Sequence, residues 1–232
     1  MNRDGPVSKM VAERSPGQTR FSQRIFQWLV RGVFRFYCPL RVIGRENLPP
    51  GRFILCSNHA SHIDSFALMT AAGFPFGAYA MLAAGDYFFR NSIGGRWSSG
   101  LVHLIPVSRS SSLVDRAASL NRTILLCRSS LEGPVRCLIL FPEGTRSVTG
   151  ETGPFKRGIS LIAAELGLPI VPAYIEGSRT VMPKGRLFPV PGRISVHIGA
   201  PIFPGAERDH DAIGRAIEIS IRSLKGGPGP RV

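Results

Sequence analysis

Beyond residue 52 the chain returns repeatedly to short apolar runs, at residues 53–57, 78–82, 102–107, 136–141, 170–175 and 194–198. Between them lie segments patterned as helices, at 65–72, 87–98, 113–131, 158–166 and 212–224. Short buried strands joined by helical crossovers build an α/β sheet. The expected fold is a single α/β domain with a central mixed, largely parallel sheet flanked by helices, preceded by an amphipathic N-terminal helix. The 232 residues are enough for one sizeable core, and neither an internal repeat nor a linker divides them. Cys38, Cys56, Cys127 and Cys137 sit in apolar stretches without CxxC spacing, which fits buried reduced thiols rather than a disulfide framework or a zinc site.

Charge narrows the possible partners. Lys and Arg total 29 against 15 Asp and Glu, a net +14 that points to nucleic acid, anionic lipid or a phosphorylated substrate. Residues 1–52 hold nine Arg and one Lys against Asp4, Glu13 and Glu46, a net +7. Residues 1–18 read as a flexible basic tail. In the helix expected from Phe21 to Tyr37, Arg20, Arg24, Gln27, Arg31 and Arg35 fall in a narrow arc. Phe21, Ile25, Trp28, Leu29, Val33 and Phe36 spread over the other side, with Phe34 nearer the polar arc, and Pro39 should end the helix.

A Trp/Phe face opposite an Arg face suits an interfacial helix, and residues 19–44 are expected to lie on a membrane. A helix packed on its own domain would show the same pattern. No apolar run reaches the ~20 residues that span a bilayer, so the expectation is a peripheral protein on the cytoplasmic side of a membrane, with no spanning helix. Nucleic acid is not an expected partner: no binding motif is present, and the aromatics lie mostly opposite the Arg stripe rather than interleaved with it. Pro and Gly punctuate residues 183–192, and residues 225–232 read as a flexible C-terminal tail.

Two segments carry residues suited to chemistry, each directly after an expected strand, where an α/β sheet exposes its loops. Asn58, His59 and Asp64 follow the first run. A His can take a proton from a hydroxyl near neutral pH while a carboxylate on its other ring nitrogen fixes the tautomer. On residue type alone His62 competes with His59. The second segment runs from Phe141 through Pro142, Glu143, Gly144, Thr145 and Arg146 to Ser147. Its glycine permits a tight turn, Thr145 can donate to an anion, and Arg146 offers a planar fork for phosphate. Lys156 and Arg157 follow, near the start of another helix.

Taken in order, these segments resemble the glycerolipid acyltransferases typified by 1-acylglycerol-3-phosphate acyltransferase. Asn58, His59 and Asp64 match the family's first motif, Phe141 to Arg146 match its third in full, and the stretch from Pro169 to Ile175 is similar to its fourth. The second motif departs: Arg109 is present, but the acidic residue before it is Ser108. The resemblance covers roughly residues 40–200 and implies an acyltransferase domain over residues 45–224.

What the resemblance implies is an O-acyltransferase moving a fatty acyl group from acyl-CoA or acyl carrier protein to a lysophospholipid, most naturally 1-acylglycerol-3-phosphate. His59 and Asp64 would be the catalytic pair, with Asn58, Arg109, Glu143, Gly144, Thr145 and Arg146 binding substrate. Neither a metal nor a resident cofactor would be needed. Membrane lipids, the acyl donor and the lysophospholipid acceptor would be the partners. Two other readings stand beside it: another lysolipid acceptor, for which Ser108 is the hint, and a non-catalytic peripheral membrane protein of the same fold.

Overall fold

The computed structural model describes residues 16–84, 103–107, 113–205 and 209–227. The expected helix at 87–98, Ser108 and Arg109, most of the N-terminal tail and residues 228–232 lie outside that set. Seven strands form one sheet: β1 (Leu40–Ile43), β2 (Phe53–Ser57), β3 (Tyr79–Ala84), β4 (His103–Val107), β5 (Cys137–Leu140), β6 (Ile170–Glu176) and β7 (Ile194–Ile198). Their spatial order is β1-β7-β6-β2-β5-β3-β4. All neighbours are parallel except β6 and β7, which are antiparallel because the segment between them leaves β6 and returns at the same end of the sheet. This is the mixed, largely parallel sheet that the alternating runs imply.

Helices cover both faces. Helix α1 (Pro16–Gly32) and α2 (Asp64–Ala72) pack with Phe53, Leu55, Ile139 and Val171 on one side. On the other side α3 (Leu113–Glu132), α4 (Arg157–Leu166) and α6 (His210–Ser223) pack with Ile54, Cys56, Leu138 and Ile170, while α5 (Ser178–Val181) is a single turn after β6. The three central strands β2, β5 and β6 are therefore buried on both faces, which is why they read as unbroken apolar runs. All four cysteines are free and buried, and burial pushes the Cys56 and Cys127 thiols up to about 12.

Two features differ from the sequence reading. The sheet takes in Leu40–Ile43, ahead of residue 45, as a half-buried edge strand beside β7; four residues are too few to show an alternation. The N-terminal helix also ends irregularly. Residues Val33–Tyr37 form a π-helical turn, closed by Cys38 N–H donating to the Val33 carbonyl at 2.8 Å. Phe34 enters the core at 4% exposure, on the side of the helix shared by Phe26 and Val30, while Phe36 is left 83% exposed.

The side of α1 that packs on the domain carries Gln27 and Arg31, which leaves the Trp/Phe arc outward. Phe26 and Val30 pack on the domain, Gln27 Oε1 accepts from Phe76 N–H, and Arg31 donates to the Gly73 carbonyl. Phe21, Ile25, Trp28 and Leu29 face outward. Phe34→Ala should destabilise the fold by about 3–5 kcal/mol, as loss of a buried Phe does. Phe36→Ala should stay within about 0.5 kcal/mol. Denaturant unfolding of both variants checks the assignment, and equal losses would contradict the burial of Phe34 against the exposure of Phe36.

Candidate active site

Strands β2 and β5 are adjacent, parallel and in a register that sets Leu55 beside Ile139 and Cys56 beside Leu140. Their chains consequently leave the sheet at the same end and level. The loop carrying Asn58 and His59 emerges against the loop carrying Phe141 to Arg146. The two are then bonded through the backbone of His59. Its N–H donates to Glu143 Oε1 at 2.8 Å, and its carbonyl accepts from Ser147 N–H at 2.8 Å. Residues on either side of Thr145 and Arg146 thus grip the backbone of one residue on both sides, and the turn between them stays at His59.

Asp64, the first residue of α2, is completely buried. Its Oδ2 accepts from Ala60 N–H and Ser61 N–H at 2.7 Å each and lies 2.9 Å from His59 Nδ1. A carboxylate oxygen that already accepts from two N–H groups suits an Nδ1–H donor, an arrangement that would leave Nε2 free to accept. The imidazole stacks on Phe141, centroids 3.9 Å apart at 16°, and its side chain is 18% exposed. Asp64 Oδ1 has no hydrogen-bond partner among the described residues, and its place in the first turn of α2 offers the positive end of the helix dipole instead.

The structure separates the two histidines that residue type alone left equal. His59 has the carboxylate. His62 is half-buried, and burial first, then the nearby Arg146 guanidinium, lowers its pKa to about 4. His62 is therefore neutral near pH 7.

Asn58 and Glu143 are both buried and fully engaged with backbone. The Asn58 amide donates to the Ile175 carbonyl at 2.9 Å and accepts from Ile175 N–H at 2.7 Å, which ties the end of β2 to β6. Glu143 Oε2 accepts from Gly153 N–H at 2.9 Å, so its two oxygens join the His59 loop to residues beyond the turn. Burial raises its pKa, opposed by those two bonds. Gly144 closes the turn at φ +65, its N–H donating to the Phe141 carbonyl at 2.9 Å. A Cβ there would be strained and would meet the Lys156 side chain at 3.0 Å. Thr145 is exposed and Arg146 half-buried.

Two contributors carried no signal in the sequence. Ser61 is buried and donates to the Met182 carbonyl at 2.5 Å, which fixes the His59 loop to the chain after α5. Gly153 is a plain loop glycine until its N–H is seen on Glu143. Among the described residues of the apolar stretch 66–104, Ala67, Leu68, Met69, Phe76 and Tyr79 belong to the core. No group of three or more His, Cys, Asp or Glu side chains among the described residues could hold a metal ion.

Residues 39–176 match the family model described as Acyltransferase. The chain is 31% identical over 201 residues to a 1-acyl-sn-glycerol-3-phosphate acyltransferase of Chlamydomonas reinhardtii, covering 84% of this chain and 56% of that protein. It is 32% identical over 162 residues to the chloroplastic 1-acyl-sn-glycerol-3-phosphate acyltransferase BAT2 of Brassica napus, covering 68% and 43%. The chain thus spans about half the length of these two relatives. With the Limnanthes douglasii 1-acyl-sn-glycerol-3-phosphate acyltransferase the identity is 34% over 203 residues, covering 85% and 68%. The crystal structure of the 1-acyl-sn-glycerophosphate (LPA) acyltransferase PlsC from Thermotoga maritima has the same fold, with a TM-score of 0.66 at 22% identity over 97% of this chain and 88% of that one.

The perturbed His62 makes a pH prediction. A histidine whose folded pKa of about 4 lies below its ordinary 6.5 sheds a proton on folding between those values. Its contribution to stability is full above about pH 6.5, falls as the pH drops toward about 4, and changes no further below. The raised Glu143 works in the opposite sense, and His62→Gln leaves it in place. The stability difference between wild type and His62→Gln, from denaturant unfolding at several pH values, should change across that window and be constant outside it. A difference constant throughout would contradict the burial of His62.

Proposed function

The chain belongs to the acyltransferase family, and from that premise we propose that it acylates the free hydroxyl of 1-acylglycerol-3-phosphate to give phosphatidic acid. The donor is the thioester of acyl-CoA or acyl carrier protein. The observation that carries the reading is the His59 to Asp64 contact of 2.9 Å in a loop bonded on both sides of His59 to the arginine-bearing turn. The similarity to 1-acyl-sn-glycerol-3-phosphate acyltransferases supports the acceptor.

His59 Nε2 takes the proton of the acceptor hydroxyl as its oxygen attacks the thioester carbonyl. Asp64, accepting from Nδ1–H, stabilises the imidazolium that forms. The tetrahedral intermediate collapses with loss of the thiolate, which receives the proton held on Nε2. No acyl-enzyme is formed, and the sequence requires neither a metal nor a resident cofactor. Arg146, with Arg109 from the second motif, holds the acceptor phosphate, and Thr145 and the Gly144 turn shape that site. Asn58 and Glu143 act on substrate through the loops they position.

The acceptor's lipid nature gives the outward face of α1 a role. Phe21, Ile25, Trp28, Leu29 and Phe36 are exposed, with Arg24 and Arg35 beside them. Each large apolar side chain gains about 1.5–3 kcal/mol on full burial. Seating that face among headgroups, with the arginines against anionic lipid, holds the domain peripherally on a membrane. No helix among the described residues is long and apolar enough to cross one.

Incubation with acyl-CoA or acyl carrier protein and a panel of lysolipids, followed by mass spectrometry of products, tests the reading. Wild-type protein should convert 1-acylglycerol-3-phosphate to phosphatidic acid, and His59→Ala should lose about 10²–10⁴-fold in turnover with the fold retained. Arg146→Ala should lose chiefly its use of phosphate-terminated acceptors. Acylation of another lysolipid alone would replace the acceptor, and full activity in His59→Ala would overturn the mechanism.

A further inference from the structure

The segment between α5 and β7 has no part in the chemistry above, yet it presents two of the most exposed large apolar side chains among the described residues. Leu187 is 82% exposed and its neighbour Phe188 78%. Lys184 and Arg186 flank them, also exposed. Residues 177–205 contain four cations, Arg179, Lys184, Arg186 and Arg193, and no acidic residue. The tip stands on a pinned base: Val190 N–H donates to the carbonyl of buried Val181 at 2.8 Å, and Arg186 N–H to the Pro183 carbonyl at 3.1 Å. Pro183, Pro189 and Pro191 lower the entropy that the chain loses on being held.

That base touches the other two parts of the site. The Met182 carbonyl accepts from Ser61, which lies between His59 and Asp64 in the catalytic loop. The Val190 carbonyl accepts from Cys38 Sγ at 3.5 Å, immediately after the exposed Phe36 and Tyr37 at the end of the N-terminal helical segment. We infer that residues 183–190 form a second lipid-contacting element, which inserts Leu187 and Phe188 into an anionic bilayer beside the active site. Two adjacent apolar side chains flanked by cations and free of acids match an apolar layer below negative headgroups. The inference rests on the lysophospholipid reading, because an acceptor held in a bilayer must reach His59 from that surface.

The burial of all four native cysteines makes a site-specific test practical, since an introduced surface thiol is the accessible one among the described residues. In the full chain, Phe188→Cys is labelled with a polarity-sensitive fluorophore and mixed with phosphatidylglycerol-containing vesicles or with pure phosphatidylcholine vesicles. Trp28→Cys, labelled in the same way, reports on α1. With anionic vesicles the Phe188→Cys label should shift to the blue with about a two-fold rise in intensity, and should be quenched by lipid-borne quenchers. Lys184→Glu with Arg186→Glu should weaken vesicle partition about ten-fold or more.

If only the Trp28→Cys label responds, the loop assignment is overturned and the helix reading stands. If only the Phe188→Cys label responds, the loop stands and the helix reading fails. No response from either label overturns both, whatever the acylation assay returns. An equal response to neutral vesicles contradicts the charge complementarity. A response to acidic acyl carrier protein without vesicles would assign the loop to the donor protein and overturn the lipid assignment.

Discussion

A single carboxylate oxygen organises the site. Asp64 Oδ2 accepts from two backbone N–H groups and faces the His59 ring nitrogen, so the turn from Ala60 to Ser61 and the imidazole are referred to the same atom. Hydrogen bonds to a charged group are worth about 1.5–3 kcal/mol each. Removing the carboxylate from water costs several kcal/mol. What the arrangement yields is a ring held in a defined direction. Phe141 stacked on the ring and Glu143 bonded to the His59 backbone restrict the same group from two other sides.

The arrangement is possible because of the sheet order. Placing β2 between β5 and β6 puts both of the chain's chemistry-bearing segments at one end of the sheet, with Asn58 fastening β2 to β6 and Glu143 fastening the β5 loop to β2. The antiparallel return of β7 brings the loop of Leu187 and Phe188 back to the same region through Met182 and Ser61. Substrate chemistry and the surfaces suited to lipid are thereby attached to a few adjoining backbone segments.

Much of this was legible before any coordinates. The apolar runs located six of the seven strands because interior parallel strands are buried on both faces, and the position of His59 and Asp64 after the first run pointed to the pair that meets. The exceptions have physical reasons. Leu40–Ile43 is a four-residue edge strand with no pattern to read. Phe34, read nearer the polar arc, is buried because the side carrying Gln27 and Arg31 is the one packed on the domain. For Asn58 and Glu143, sequence identified residues of the site, but only the coordinates reveal amide and carboxylate occupied by backbone. Nothing in the types of Ser61 or Gly153 separates them from ordinary loop residues. Arg109 lies outside the described residues, and its part rests on the motif.

The central claim is that Asp64 holds His59 with its proton on Nδ1 and a basic Nε2 directed at the acceptor. Imidazole nitrogen NMR of wild-type protein and Asp64→Asn, in the neutral range, reads this directly. The account predicts that His59 is protonated at Nδ1 in the wild type, with Nε2 unprotonated, and that Asp64→Asn loses the preference. A wild-type His59 protonated at Nε2, or a tautomer unchanged in Asp64→Asn, would contradict it.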